Sequence, residues 1–172
     1  IRDSDYTSLI SITEKITGLN IDTIKVTDYN AAVEAMRAGR AHIAWYGGKT
    51  YVKAAEIAGA EAFAAGVRPG EKDAGYYTYF VVKKDSKLKE FKDVKGKILS
   101  LNTIGSTSGD LIPQVELSKI NLSIKNKDHF NKVFYAGSHD ACLLAVLNNQ
   151  SDVCGMSSRN FEARLELSLI HI

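Results

Sequence analysis

A chain of 172 residues, 45% hydrophobic and 24% charged, carries enough apolar material to bury a core as one domain or as two small lobes. A net charge of only +2 excludes the concentrated basic face of bulk nucleic-acid binding, and no run approaches the roughly 20 apolar residues that cross a membrane. Cys142 and Cys154 sit among apolar neighbours without the close Cys or His spacing of a metal site. They read as core residues, with the redox compartment left open, and neither metal nor cofactor is expected.

The two ends, Ile1-Arg2-Asp3-Ser4 and Leu167-Ser168-Leu169-Ile170-His171-Ile172, match the translated strands of a sequencing adapter. Native sequence is therefore expected from about residue 5 to residue 166. Within it, Leu9, Ile10, Ile12 and Ile16 recur at helical spacing, and Gly18 fits the end of that helix. Ile21 to Thr27 alternates as a strand does, and Asp28 can cap a helix that presents Val33 and Met36 before Gly39. A strand at 41–45, a turn at Tyr46-Gly47-Gly48, a helix ending at Gly59 and a strand at 61–67 follow. Helices alternating with strands predict a parallel sheet covered by helices.

Tyr76 to Val82 is a long β-prone run that passes into a lysine-dense stretch, 83–97. In that stretch Leu88, Phe91, Val94 and Ile98 recur at spacings of three, three and four, which predicts a solvated amphipathic turn and helix, not a nucleic-acid contact. A strand at 97–101 leads into Gly105-Ser106-Thr107-Ser108-Gly109-Asp110 and an apolar-periodic helix containing Pro113. A strand at 132–135, a helix at 138–147, a short strand at 152–154 and a final segment from Ser157 complete the chain. The layout is two α/β lobes, 5–80 and 81–166, meeting near residues 75 to 85.

The chemistry concentrates in the hydroxyl turn at 105–110. Its glycines free the backbone, and Ser106, Thr107 and Ser108 stand where a helix begins with unpaired N–H groups and the positive end of its dipole. Helix capping and an oxyanion cradle both fit. The phosphate loop of nucleotide hydrolases does not, because no Lys follows Gly109, and a nucleophile elbow does not, because Thr107 holds its centre. Pro113 requires either a kink or a later helix start. Tyr46, Tyr76 and Ser138-His139-Asp140 share the hydroxyl turn's position at strand ends, where ligands of open α/β sheets bind.

These stretches, with Asp28-Tyr29-Asn30, Ala44-Trp45-Tyr46-Gly47, Gly75-Tyr76-Tyr77, Val94-Lys95-Gly96-Lys97, Ser106-Thr107-Ser108-Gly109, Ala136-Gly137-Ser138-His139-Asp140 and Gln150-Ser151-Asp152-Val153 in order, resemble the substrate-binding subunit of phosphonate ABC transporters. The resemblance implies a two-lobed periplasmic-binding fold of type II, each lobe a mainly parallel sheet covered by helices. It also implies capture of a phosphonate, phosphite or phosphate for uptake, with no catalysis. Tyr46 and Tyr76 would line the ligand's organic part, Ser106, Thr107 and Ser108 would bond the phosphorus oxygens, and His139 would donate to the same anion. An ABC permease would be the partner, with the protein periplasmic or extracellular and membrane-anchored, and any lipid anchor outside this stretch.

The family differs from the chain in two ways. Its members begin earlier, with a first strand, and continue into a return crossing that carries an acidic ligand contact. Some also place a Glu near Arg159 to meet a substrate amine, so the arginine here leans toward phosphonates without one. The same fold also serves effector-binding domains of transcriptional regulators and sensors, which is the alternative function. A hydrolase built on Ser108 and His139 is the weaker rival, since Asp140, adjacent to His139, is poorly placed to orient its imidazole.

Overall fold

The computed structural model describes residues 4–166; of the two adapter-like ends, residues 1–3 and 167–172 lie outside the described residues. Three helices come first: α1 (Ser4–Thr17), α2 (Tyr29–Arg37) and α3 (Gly48–Ala58). Asp28 caps α2, its carboxylate accepting the Ala31 N–H at 3.0 Å. Helices α2 and α3 pack on each other through the fully buried Val33 and Ala54.

The strands predicted at 21–27, 41–45 and 61–67 do not pair; all three segments are irregular. Their apolar side chains, among them Ile24, Val26, Ile43, Trp45 and Phe63, are exposed. Alternation reports only that one side of a segment calls for burial. A strand exists only when a neighbour about 4.8 Å away completes its ladder, and these segments meet none among the described residues.

The second lobe holds one four-stranded sheet in the order β1-β4-β2-β3, built from β1 (Thr78–Val81), β2 (Ile98–Leu101), β3 (Lys132–Tyr135) and β4 (Val153–Ser157). Strand β2 runs parallel to both β3 and β4, and β1 is antiparallel to β4 with Thr78 opposite Ser157. Strand β1, Thr78–Val81, is thus part of this sheet through its pairing with β4. Alternation along the strands separates two cores. Leu99, Leu101 and Val153 join Val94 and Leu117 on one face, while Val81, Cys154 and Met156 join Cys142 and Val146 on the other. The covering helices are α4 (Ile112–Lys119), α5 (His139–Leu147) and α6 (Ser158–Glu166). In the lysine-dense stretch a short 3-10 turn, Phe91–Val94, turns Phe91 and Val94 onto the core, as the spacing predicts.

The two cysteines are buried in the core as expected, and the structure adds that they are joined: Cys142 and Cys154 form a disulfide with Cα atoms 5.7 Å apart. Pro113 resolves toward a later helix start. Residues Thr107–Leu111 form a π turn, and α4 begins after it with the proline in its first turn. The Gly109 carbonyl, which an α-helix would pair with residue 113, accepts the Asn102 N–H at 2.9 Å instead. The missing proline N–H thus leaves no orphan acceptor and ties the turn to the end of β2.

Candidate functional site

Strands β2, β3 and β4 all end at one edge of the sheet, and each is followed by a helix start. The N-terminus of α3 comes to the same edge from the first lobe, so helix dipoles from both lobes point at one space. That space is a cavity of about 1270 Å³, and it is lined by all six residues singled out in the sequence: Tyr46, Tyr76, Ser106, Thr107, Ser108 and His139.

In the hydroxyl turn, Gly105 has φ of +101°, which a side chain would strain. Gly109 serves differently from the sequence expectation. Its backbone is not in the left-handed region, but a Cβ there would stand 2.3 Å from Asn102 Cβ, so glycine is required by close packing. Ser106 caps the turn, its hydroxyl accepting from the Gly109 N–H at 3.0 Å and the Asn102 amide at 3.3 Å. Thr107 Oγ1 accepts the Lys49 N–H from the start of α3 at 2.9 Å. Ser108 is buried against the cavity.

His139 follows Ser138, whose hydroxyl caps α5 by accepting the Ala141 N–H at 3.0 Å. Burial holds the imidazole neutral, pushing its pKa down to about 4 against the opposing pull of the Asp140 carboxylate. Its Nδ1 accepts the Ser157 N–H at 3.4 Å, which assigns the proton to Nε2 and makes that nitrogen the ring's donor. Asp140 is engaged elsewhere, forked by the Arg164 guanidinium, and those hydrogen bonds hold its pKa below the usual carboxylate value.

The two tyrosines differ. Tyr46 turns its hydroxyl to α2, donating to the Ala32 carbonyl at 3.2 Å, so it offers the cavity its ring. Tyr76 reaches the cradle: a Cβ placed on Gly47 would lie 4.0 Å from the Tyr76 hydroxyl and 3.1 Å from Thr107 Oγ1. A methyl there would crowd Thr107 Oγ1 and touch the Tyr76 hydroxyl.

Sequence reasoning passed over Lys49 and its role. Lys49 Nζ pairs across the lobes with Asp110 at 2.6 Å, and the buried Asp110 also accepts from Tyr135, Gln114 and the Gly105 N–H. Burial works to raise the Asp110 pKa, but the bonds from Lys49, Tyr135 and Gly105 outweigh it and hold the carboxyl below its ordinary value. The pair is neutral as a whole and leaves the helix starts to set the local field. A signal for it existed: a lysine in the first turn of a helix opposes the dipole and calls for a carboxylate partner.

Residues 3–170 match the family model described as "ABC transporter, phosphonate, periplasmic substrate-binding protein". The phosphonates-binding periplasmic protein of Escherichia coli is 31% identical over 163 residues, which is 91% of this chain and 46% of that protein. The phosphate-import protein PhnD of Mycolicibacterium smegmatis is 30% identical over 87% of this chain and 48% of its own length. The chain thus spans about half the length of these curated relatives. Among solved structures, a binding-protein component of an ABC phosphonate transporter from Pseudomonas aeruginosa superposes with a TM-score of 0.85 at 30% identity, covering 96% of this chain and 55% of that one. PhnD1 from Prochlorococcus marinus, in complex with methylphosphonate, shares the fold with a TM-score of 0.78 at 24% identity, over 95% of this chain and 61% of its own. With its residues matched nearly end to end, the chain belongs to the periplasmic substrate-binding proteins of phosphonate ABC transporters.

Proposed function

We propose that the chain captures a phosphonate, or the related phosphite or phosphate, between its two lobes as the solute-binding component of an ABC uptake system. The observation that carries this reading is that the cradle is preset to donate. A hydroxyl has one proton and two lone pairs, so one that already accepts still has its proton to donate. Ser106 accepts twice and Thr107 accepts from Lys49, while His139 accepts at Nδ1 and keeps Nε2–H. A rim of donors, backed by helix starts from both lobes, stabilises an oxyanion and repels nothing but a competing donor.

Contacts to both lobes make binding favour the closed form, in which Lys49 meets Asp110 and Thr107. The closed form is then the state presented to a membrane permease. The disulfide between Cys142 and Cys154 suits an oxidising compartment outside the cytoplasm. A hydrolytic role finds little support: His139 Nδ1 is occupied by a backbone N–H, and Asp140 is held by Arg164.

Titration calorimetry with methylphosphonate, phosphite and phosphate tests the reading. Binding of at least one is expected, with Thr107→Ala and Ser108→Ala each weakening it by about 1.5–3 kcal/mol, the scale of a hydrogen bond to a charged group. Unchanged affinity in both variants would remove the hydroxyl turn from the site.

A further inference from the structure

Helix α5 and strand β4 lie side by side in opposite directions and are tied at two levels. Cys142 is bonded to Cys154, and one helical turn nearer the cavity the Ser157 N–H reaches His139 Nδ1 at 3.4 Å. One rigid helix carries both ties, so the spacing set at the first is passed to the second. Both cysteines are fully buried, and the Cys142 sulfur touches Ser100 Oγ at 3.4 Å and the Gly155 carbonyl oxygen at 3.7 Å. Packing this close leaves no void to take up a change in volume.

A covalent bond holds two sulfurs about 1.5 Å closer than two unbonded heavy atoms settle. Breaking it in a full core therefore pushes α5 off β4, and the bond at His139, already long for an N–H donor, opens first. Neither neighbour of His139 holds that spacing: Arg164 ties Asp140 to α6, and Ser138 caps α5 within its own turn. Without the Ser157 N–H, nothing fixes the proton on Nε2. We infer that the Cys142–Cys154 bridge positions His139 for the anion, so that the cavity keeps its imidazole donor only in the disulfide-bonded protein and the reduced protein binds the oxyanion more weakly. The inference rests on the oxyanion reading of the site. The exchange balances with a dithiol as reductant: the bridge becomes two thiols while the dithiol closes to a cyclic disulfide. Since both sulfurs are buried, that exchange requires the protein to open, and the state of the bridge is settled during folding.

The test is calorimetry with methylphosphonate, phosphite and phosphate on oxidised protein and on protein unfolded in urea with dithiothreitol and refolded in its presence, for wild type and His139→Ala. Reduction is expected to weaken anion binding by wild type about tenfold or more, and to add no further loss in His139→Ala. Imidazole nitrogen NMR should show the Nε2–H tautomer of His139 in oxidised wild type and a mixture after reduction. Equal affinity in the two states of wild type would overturn the inference, as would an unchanged tautomer. An equal fractional loss in His139→Ala would overturn it too, because a bridge serving stability alone gives that result. If His139→Ala binds too weakly to measure, affinity and tautomer in wild type decide alone. Should circular dichroism show the reduced protein unfolded, the comparison is repeated in trimethylamine N-oxide, which favours the compact state, and a reduced protein that stays unfolded there overturns the positioning role. Binding that ignores the bridge defeats this inference only, whereas no binding of any of the three anions by oxidised wild type defeats the oxyanion reading and this inference with it.

Discussion

Replacing Asp110 by Ala or by Asn should destabilise the protein by nearly the same amount, although Asn is the closer shape. Asp110 is 1% exposed, and its oxygens divide four donors in pairs. Oδ2 takes Lys49 Nζ at 2.6 Å and the Gly105 N–H at 3.1 Å; Oδ1 takes Gln114 Nε2 at 2.6 Å and the Tyr135 hydroxyl at 2.8 Å. An asparagine in either orientation turns an NH2 group against two of these donors. Alanine leaves all four without their acceptor. Removing one partner of a buried ion pair costs about 3–5 kcal/mol, and because the Lys49 side chain is 33% exposed and can rehydrate, the lower end applies, about 3 kcal/mol. Against a total stability of roughly 5–15 kcal/mol, that is a large fraction. Urea denaturation followed by circular dichroism at pH 7 reads it as a fall in midpoint at constant slope. The folded carboxyl has a lowered pKa, so its contribution is complete above the unfolded value of 3.8 and is lost as pH falls through the lower folded value; the gap between wild type and variant should close only in strong acid. A loss below about 1 kcal/mol in Asp110→Asn would refute the reasoning, since the four donors would then not depend on a charged acceptor.

Three further outcomes follow from the structure. His139, held neutral with a folded pKa of about 4 against 6.5 unfolded, binds its proton later in the folded state than in the unfolded one, so stability should decline as pH falls from 6.5 toward 4, and less so in His139→Gln when the two are unfolded side by side at pH 7 and pH 5. Reducing the Cys142–Cys154 bridge, which joins residues 12 apart in sequence, should cost about 3 kcal/mol, the loop-closure value for a loop of that size; equal urea midpoints with and without dithiothreitol would contradict it. Gly47→Ala would place a methyl 3.1 Å from Thr107 Oγ1 and beside the Tyr76 hydroxyl, so oxyanion affinity measured by calorimetry should fall while the thermal midpoint stays near wild type.

The second lobe was readable because its signals are local. Apolar runs at 98–101 and 132–135, bounded by turns, became parallel strands, and Ser138 capped the helix that its position announced. The first lobe's helices were equally plain from Asp28, Gly18 and Gly59. Its three expected strands failed because the sequence supplied one alternating and two strand-like runs without stating a partner, and pairing is a property of two segments, not one. Glycine misled in a smaller way at Gly109, where the need is for room beside Asn102 and not for an unusual backbone angle. No pattern along the chain announces that two backbones will approach that closely.

At the site, side-chain identities were legible and their states were not. Tyr46, Tyr76, Ser106, Thr107, Ser108 and His139 all line one cavity, but the sequence could not say that the Tyr46 hydroxyl donates to Ala32 while Thr107 Oγ1 accepts from Lys49. Which group keeps a proton to offer depends on what it already accepts: Thr107 accepts from Lys49, Ser106 from Gly109 and the His139 imidazole from Ser157, donors on three different elements. Lys49 and Asp110 are 61 positions apart, so their ion pair exists only once α3 has docked on the π turn. That docking also sets Thr107, since the same residue supplies the ammonium for Asp110 and the N–H for Thr107 Oγ1. The Asp110 ion pair and the bond to Thr107 Oγ1 are thus coupled through one residue, and neither forms unless the start of α3 meets the π turn.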